Sequence, residues 1–261
     1  MIKLRLTMLN VLCLCLCMCL CLSAYSVAQT ITIYSYHNHP PFVTGQNSGL
    51  TFELARQLNE QAGDRYFFKV SIVPHERLNY LLKDWIRGAC PNSDCKQNWI
   101  VPWVNPKWGF IKGGYDNYLW HEQFKDSNVI LSRASERWTY LGPSSIKGLL
   151  FAGMRGHHYL EIDDFVASGD IKRIDGNRER DNILKLLYQR VDVTLLPAST
   201  VAYLLENDPK IKAQAKQIKI NDKKHHKYMR YIMLPESRTS LLAFVKNIKL
   251  KELSFNSKSS L

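Results

Sequence analysis

The stretch LLFAGMRGHHYLEIDDFVASGDIKRIDGNRERDNILKLLYQRVDVTLLPASTVAYLL, residues Leu149 to Leu205, decides the fold that the sequence predicts. Its two apolar runs are short enough to be buried strands, and the segments after each run are typical of helices. A connection of that length joins parallel strands by a right-handed crossover. The predicted elements are a strand over 149–152, helices over 158–168 and 180–188, a strand over 191–196 and a helix from Ser199 or Thr200.

The rest of the chain shows the same alternation of strands and helices. Sheets of this kind bind ligands at the carboxyl ends of their strands, beside helix N-termini. In the stretch quoted above, those ends are residues 154–159 and 197–200. Elsewhere the sequence predicts strands over 30–36, 66–73, 99–104, 129–131 and 228–234, helices over 50–62, 76–86 and 236–249, and an aromatic-rich loop over 108–120.

The first 28 residues have the features of a secretory signal peptide. Lys3 and Arg5 form a basic start, the run 6–22 is apolar, and Ser26-Val27-Ala28 is a small-x-small cleavage site. We therefore predict cleavage before Gln29 and a periplasmic location, with an uncleaved anchor as the alternative. The remaining chain is long enough for two lobes of about 100 residues each.

Cysteine usage agrees with an oxidising compartment. Five of the seven cysteines lie in the predicted signal peptide, and the other two are Cys90 and Cys95. We predict that these two form a disulfide that closes a short loop. A zinc site would need more ligands nearby, and a redox pair usually has two intervening residues rather than four.

The chain is basic, with a formal net charge of +12 and a concentration of lysines between 210 and 227. A nucleic-acid-binding function is disfavoured, because such a protein needs a basic face with interleaved aromatic residues and is not exported. The positive field favours anionic ligands or an anionic membrane surface. A solvated basic surface is the simpler alternative.

Three segments carry a resemblance to a known family. They are GLTFELA at 49–55 after a Pro-Pro-Phe loop, GMRGHHY at 153–159 and RVDV at 190–193. Their order resembles the first helix, the strand–turn–helix of the second lobe and the return strand of the type II periplasmic solute-binding proteins of family 3.

The resemblance implies an α/β fold of two lobes, each a mixed, mostly parallel sheet flanked by helices, joined by two hinge strands. Residues 1–28 would be the signal peptide, 29–128 and 230–261 the first lobe, and 129–229 the second lobe. The implied function is capture of a small ligand between the lobes, for delivery by a monomeric protein to an ABC permease or a sensor in the inner membrane.

The sequence departs from the family at two places that bear on the ligand. The position where amino-acid binders carry a carboxylate-gripping arginine corresponds here to Trp108. The place of the acidic residue that meets the ligand ammonium reads Pro197-Ala198-Ser199-Thr200. A small polar or anionic ligand is therefore expected in place of an ordinary α-amino acid.

Side chains near the predicted strand ends and helix starts form the candidate binding site. The Arg155-Gly156 turn suits a carboxylate or phosphate, and Trp103 and Trp108 can stack on a planar ligand, a sugar or a cation. A plain turn, core packing of the tryptophans and helix capping by Ser199 or Thr200 remain alternatives. The predicted ligand-binding residues are Tyr36, His37, Phe42, Arg77, Trp103, Asn105, Trp108, Arg155, Gly156, His157, His158, Tyr159, Ser199 and Thr200.

The histidines allow a second hypothesis. His37 and His39 share a strand face, His157 and His158 would lie on the facing lobe, and His225 and His226 lie near the return hinge. This set has a chemistry suited to zinc or copper. Exposed or hydrogen-bonded histidines are the alternative. The sequence contains no Gly-x-Ser-x-Gly, His-Glu-x-x-His or phosphate-cradling motif, so we predict no catalytic residues and no cofactor. A relative of this fold without a transport role is a third hypothesis.

Overall fold

The computed structural model describes residues 27–87, 97–108 and 118–248. The pair Cys90 and Cys95 and nearly all of the predicted signal peptide lie outside these residues, so the disulfide and the cleavage stay predictions. None of the described helices is long and apolar enough to cross a bilayer.

Helices and strands alternate along the described chain as the sequence predicts. From its start to Arg133 the described chain contains β1 (Gln29–Ser35), α1 (Leu50–Ala62), β2 (Tyr66–Ile72), α2 (His75–Arg87), β3 (Trp99–Val104) and the long β4 (Tyr118–Arg133). After Arg133 it contains β5 (Leu150–Met154), α3 (Asp163–Ala167), β6 (Lys172–Gly176), α4 (Glu179–Leu187), β7 (Val193–Pro197), α5 (Ala198–Asn207), α6 (Pro209–Lys212), β8 (Ile218–Ile220), β9 (His226–Pro235) and α7 (Thr239–Asn247).

The described strands form one sheet, in which two parallel sets are joined through the antiparallel strands β9 and β4. The described strands are ordered β2-β1-β3-β9-β4-β7-β5-β6, with β8 paired to β4. β1 is parallel to β2 and β3, and β5 is parallel to β6 and β7. β4 and β9 are antiparallel from Tyr118–Pro235 to Asn128–His226. These two long strands are therefore the connection between the halves of the molecule.

Each half has its own apolar core. Ile33, Leu54 and Ile232 belong to a buried cluster of the first half, whereas Val129 and Ile183 belong to one of the second. Along β4 the change of core occurs between Phe124 and Val129. The predicted α/β class with two mostly parallel sheets is confirmed, while the precise lobe boundaries remain predictions.

Two predictions on the quoted stretch are wrong. The helix predicted over 158–168 covers only Asp163–Ala167, because Glu161 has a φ of 67°, which no α-helix can contain. The polar segment after it contains the unpredicted strand β6. Its exposed residues do not show the apolar alternation by which a strand is recognised.

The strand predicted over 129–131 is only the end of a 16-residue strand. The sequence of β4 before that point is mixed and polar, with His121, Glu122, Lys125 and Asp126. Its pairing with β9 holds this polar segment in an extended conformation. Tertiary pairing therefore overrides a weak local pattern.

Candidate ligand-binding cleft

The loop that follows β1 is held against the start of α1. The first backbone N–H groups of the helix lack partners inside the helix, and loop carbonyls accept from two of them. Leu50 N donates to Pro41 O at 2.9 Å, and Thr51 N donates to Phe42 O at 3.1 Å. Phe42 is completely buried as a result.

Gly49 permits this close approach. Its φ of 109° is in a region that side chains rarely adopt, and a Cβ atom there would lie 2.6 Å from Phe42 O. Only glycine fits without a shift of the backbone. The glycine that precedes helix α1 after the Pro-Pro-Phe loop is therefore required by the backbone contact with Phe42.

Arg230 on β9 is buried at the candidate site, with 1% of its surface exposed. Its Nε donates to Asp126 Oδ2 at 2.8 Å, its Nη1 to Trp103 O at 2.8 Å, and its Nη2 to the Tyr228 hydroxyl at 3.3 Å. A buried guanidinium needs such a paired carboxylate, because an isolated charge cannot be removed from water cheaply.

Aromatic rings surround the same guanidinium. Its carbon lies 4.6 Å from the ring centre of Phe42, 5.4 Å from that of Trp108 and 5.3 Å from that of Tyr228. These distances allow cation–π attraction, which strengthens where water is excluded. We name Arg230, Asp126, Phe42, Trp108 and Tyr228 the arginine cluster.

Asp126 connects this cluster to the second half of the molecule. Its Oδ2 accepts from Ser199 Oγ at 2.7 Å, and its Oδ1 accepts from Ser199 N at 3.2 Å. Ser199 lies in the first turn of α5, where a carboxylate is favoured by the free N–H groups and the helix dipole. One buried carboxylate therefore binds both a hinge strand and a helix of the second half.

His39 makes a second connection across the cleft. Its Nδ1 lies 3.2 Å from Thr200 Oγ1 and 3.0 Å from Pro40 O, and its Nε2 lies 3.6 Å from Glu179 Oε1. Thr200 is in the first turn of α5, and Glu179 is the first residue of α4. The two halves are thus in direct contact at this histidine.

The cleft histidines are held neutral. Burial, and then the positive charge of Arg230, keep the pKa of His37 well below its usual value. Burial also lowers the pKa of His39, although the carboxylate of Glu179 opposes this. His37 Nε2 is buried and has no hydrogen-bond partner among the described residues. A buried imidazole nitrogen without a partner is a group that a ligand can satisfy.

Several predicted residues come together at this cleft. The ring of Tyr36 packs against that of His37 in a tilted arrangement, with 4.1 Å between ring centres, and burial raises the pKa of its phenol. Asn105 contacts β9, because its Nδ2 donates a hydrogen bond of 2.7 Å to Met229 O. With them are the predicted residues His37, Phe42, Trp108, Ser199 and Thr200.

Other predicted residues lie elsewhere. Trp103 packs in the core of the first half with Nε1 bonded to Thr51 Oγ1, although its carbonyl faces Arg230. Tyr159 is buried in the core of the second half, where its hydroxyl accepts from Met154 N. Arg77 is exposed and lies over the Tyr80 ring.

The turn after β5 is exposed at Arg155, Gly156, His157 and His158. His158 pairs with Asp163 at 3.4 Å while 94% of its side chain is exposed. Partial loss of hydration lowers the pKa of His157, while the carboxylate of Glu179 opposes this and His39 adds to it. His157 therefore interacts electrostatically with residues of the cleft.

Sequence reasoning missed Asp126, Glu179, Tyr228 and Arg230 as site residues. Arg230 had a signal, because it is a charged residue inside the apolar strand Tyr228–Leu234. A buried charge in such a strand requires a partner. Asp126 is that partner, on the neighbouring strand.

Comparison with known proteins identifies the fold. No family model matches the sequence, and no curated protein matches it. Among solved structures, a mutant of ArgBP from T. maritima has a TM-score of 0.59 at 16% identity, covering 88% of this chain and 91% of that one.

Two further structures give the same result. The GluR0 ligand-binding core from Nostoc punctiforme in complex with L-glutamate has a TM-score of 0.57 at 14% identity, covering 86% of this chain and 96% of that one. The substrate-binding protein of an amino acid ABC transporter has a TM-score of 0.54 at 14% identity, with 88% and 95% covered. The chain therefore has the two-lobe type II fold that the sequence resemblance implied. These neighbours are binding proteins.

Proposed function

We propose that this protein is a periplasmic solute-binding protein that closes two lobes over a small polar or anionic ligand. It would act without catalysis, as a monomer released from its signal peptide, and present the closed form to an ABC permease or a sensor protein. The observation that carries the proposal is the arginine cluster, a buried cation on a hinge strand that is bonded through Asp126 to the second half.

The chemistry of Arg230 supports a polar or anionic ligand. A guanidinium has five N–H donors, and the three bonds described above leave one hydrogen on each terminal nitrogen. A carboxylate or phosphate accepts such a pair of hydrogens well. His37 Nε2 offers a further neutral contact beside them.

The position of Trp108 agrees with this assignment. The resemblance puts a ligand-gripping arginine at this place, where the chain has tryptophan, and the ring of Trp108 lies over Arg230 instead. In our proposal the cation that the family supplies after the third strand comes from β9. Trp108 then forms an aromatic wall that a planar or sugar-like part of the ligand can contact.

Closure would depend on His39. A ligand stabilises the closed form only through contacts that the open form lacks. The contacts of His39 with Thr200 and Glu179 join the two halves directly, so they exist only when the halves meet. A ligand in the cleft would add its own contacts to this bridge.

A thermal-shift screen of the purified protein tests the proposal. The panel contains carboxylates, phosphates, sugars, nucleosides and divalent metals, and calorimetry then measures the affinity for each compound that stabilises the protein. We expect at least one organic or phosphate ligand, and an affinity at least tenfold lower in His39→Ala. The matched control is His158→Ala, which removes an exposed histidine and should bind as the wild type does.

Two results would refute the proposal. One is stabilisation by metal ions alone that is lost in His37→Ala, which would favour the histidine-based metal protein. The other is an organic ligand whose affinity is unchanged in His39→Ala, which would place the site outside this cleft.

A further inference from the structure

A second group of ligating side chains lies outside the cleft. Glu161 precedes α3, whereas His225 and His226 lie at the start of β9, more than 60 positions later in the sequence. The fold brings one ligating atom of each residue within 4.8 Å of the others. We name these three residues the Glu161 triad.

The backbone at the triad is fixed by neighbouring structure. His225 N donates to Asn128 O at 2.9 Å, and His226 pairs with Asn128 at the end of the β4–β9 ladder. The two imidazole rings are 4.1 Å apart between centres. Although adjacent residues of a strand usually point to opposite faces, His225 precedes the strand and so escapes this restriction.

Tyr140 orients the first imidazole. Its hydroxyl lies 2.6 Å from His225 Nδ1, and 1% of its surface is exposed. Tyr140 N is itself bonded to the buried side chain of Asn221. Histidines that bind metals commonly use one ring nitrogen for the metal and bond the other to a residue behind it. With Nδ1 held by Tyr140, Nε2 is the nitrogen of His225 that is left for a metal, and metal binding would replace the hydrogen bond between this ring and the backbone of Leu160.

The second imidazole has an unsatisfied atom. His226 Nε2 is buried and has no hydrogen-bond partner among the residues that the structure describes. A buried polar atom without a partner is unfavourable, because it has lost its hydrogen bonds to water. The triad therefore contains a nitrogen that gains from a ligand, next to a carboxylate.

We propose that the Glu161 triad binds a divalent transition-metal ion, with Zn²⁺ as the best fit. Two imidazoles and one carboxylate are a ligand set that Zn²⁺ accepts, with water in the fourth position. Mg²⁺ and Ca²⁺ prefer oxygen ligands, so they should bind weakly. At bond lengths of about 2.0–2.2 Å, tetrahedral ligand atoms are separated by about 3.4 Å, so the triad must contract. The exposed side chain of Glu161 is free to make that movement.

The ion would join a loop of the second half to the first residue of β9. Glu161 belongs to the segment between β5 and α3, and His226 is where the chain enters the strand pair that connects the halves. Metal binding should therefore stabilise the protein without a ligand in the cleft. This site is independent of the function proposed above.

Calorimetry and thermal unfolding of the chelator-treated protein test the site, with Zn²⁺, Ni²⁺ and Mg²⁺ as separate titrants. We expect one Zn²⁺ per chain, a higher unfolding temperature with Zn²⁺ and no comparable effect of Mg²⁺. His226→Ala and Glu161→Gln should each lower the Zn²⁺ affinity at least tenfold. Tyr140→Phe should lower it by about tenfold or more, because it removes the group behind a ligand.

The control is His158→Ala, which removes an exposed histidine of the same half. Because Glu161 is exposed, Glu161→Gln should fold even if His226→Ala does not. Absence of Zn²⁺ binding, or a Zn²⁺ affinity unchanged in Glu161→Gln, would overturn the proposal. Loss of Zn²⁺ binding in His37→Ala together with wild-type binding in His226→Ala would place the ion in the cleft and would also overturn it.

Discussion

The segments that follow β1 and β5 occupy equivalent places in the two halves, yet they are used differently. Each follows the carboxyl end of the central strand of its parallel sheet. After β1, Phe42 belongs to the arginine cluster, His37 packs against its ring, and both residues are buried. After β5, Arg155, Gly156 and His158 are exposed. Topological equivalence therefore predicts where a site lies, but not which half supplies its buried groups.

The cause of the difference is the satisfaction of backbone groups. After β1, the N-terminus of α1 takes up the loop carbonyls and draws the loop inward. After β5, the side chain of Arg173 on β6 donates to Met154 O and His157 O, both at 3.0 Å. The carbonyl groups of the turn after β5 therefore have a hydrogen-bond donor within the second half. In place of this turn, the second half contacts the cleft through the first turns of α4 and α5.

The largest expected change in stability comes from removing the carboxylate of the buried arginine cluster. Asp126→Asn should lower the free energy of unfolding by about 3–5 kcal/mol, because it leaves the charge of Arg230 buried without its carboxylate. Denaturant unfolding measures the change. The control Asp64→Asn alters an exposed turn residue and should change it by less than about 0.5 kcal/mol. Equal effects of the two variants would mean that the arginine cluster does not stabilise the fold.

Two glycines give a matched pair for the two segments. Gly49→Ala should cost about 2–4 kcal/mol, because the new Cβ would have both an unfavourable φ and a clash with Phe42 O. Gly156→Ala should cost about 1 kcal/mol, since its φ is 75° but no atom lies within 4 Å of the new Cβ. Thermal and denaturant unfolding compare the variants. A larger loss for Gly156→Ala would reverse our description of which segment is tightly packed.

Much of the fold could be predicted from local signals. The bounds of α1 and β3 agree with the prediction, because Gly49 and Gly63 flank the helix and a continuous apolar run defines the strand. β6 could not be predicted, since its exposed residues show no apolar period. The polar half of β4 is a strand only because β9 pairs with it.

The candidate site was predictable where it lies at strand ends. His37, Phe42, Ser199 and Thr200 follow directly from that rule. Asp126 and Arg230 lie inside strands. Their contact depends on the register between β4 and β9, two antiparallel strands that are about 100 residues apart in the sequence. No local pattern specifies that register. Glu179 is the first residue of α4, one position before the predicted start of that helix, and no motif in the sequence connects it with His39.

The pH dependence of stability tests whether the cleft histidines are buried in solution. The pKa of His37 in the folded protein lies below its ordinary value of about 6.5, so below that pH the unfolded chain binds a proton that the folded chain does not. The free energy of unfolding should therefore fall as the pH decreases from about 6.5, and His37 should not affect its slope above that pH. One such histidine contributes at most about 1.4 kcal/mol per pH unit.

Unfolding experiments between pH 5 and pH 8 measure this slope. His37→Gln should make the decrease on acidification shallower by up to that amount, while His39 and the other histidines of lowered pKa maintain the remainder. His158→Gln serves as the control because its side chain is exposed. The same slope in wild type and His37→Gln would show that His37 is accessible to protons, and the first segment would then resemble the second.

The smallest expected effect concerns the exposed turn. Arg155→Ala should change the free energy of unfolding by less than about 0.5 kcal/mol, because the side chain is exposed. The ligand affinity of Arg155→Ala is the more informative measurement, because the sequence predicts Arg155 as a ligand-binding residue. If the second half contributes through α4 and α5, calorimetry should show a loss below about threefold, far smaller than in His39→Ala. Comparable losses in the two variants would mean that the turn after β5 moves into the cleft when ligand binds, and the two segments would then be equivalent in the liganded protein.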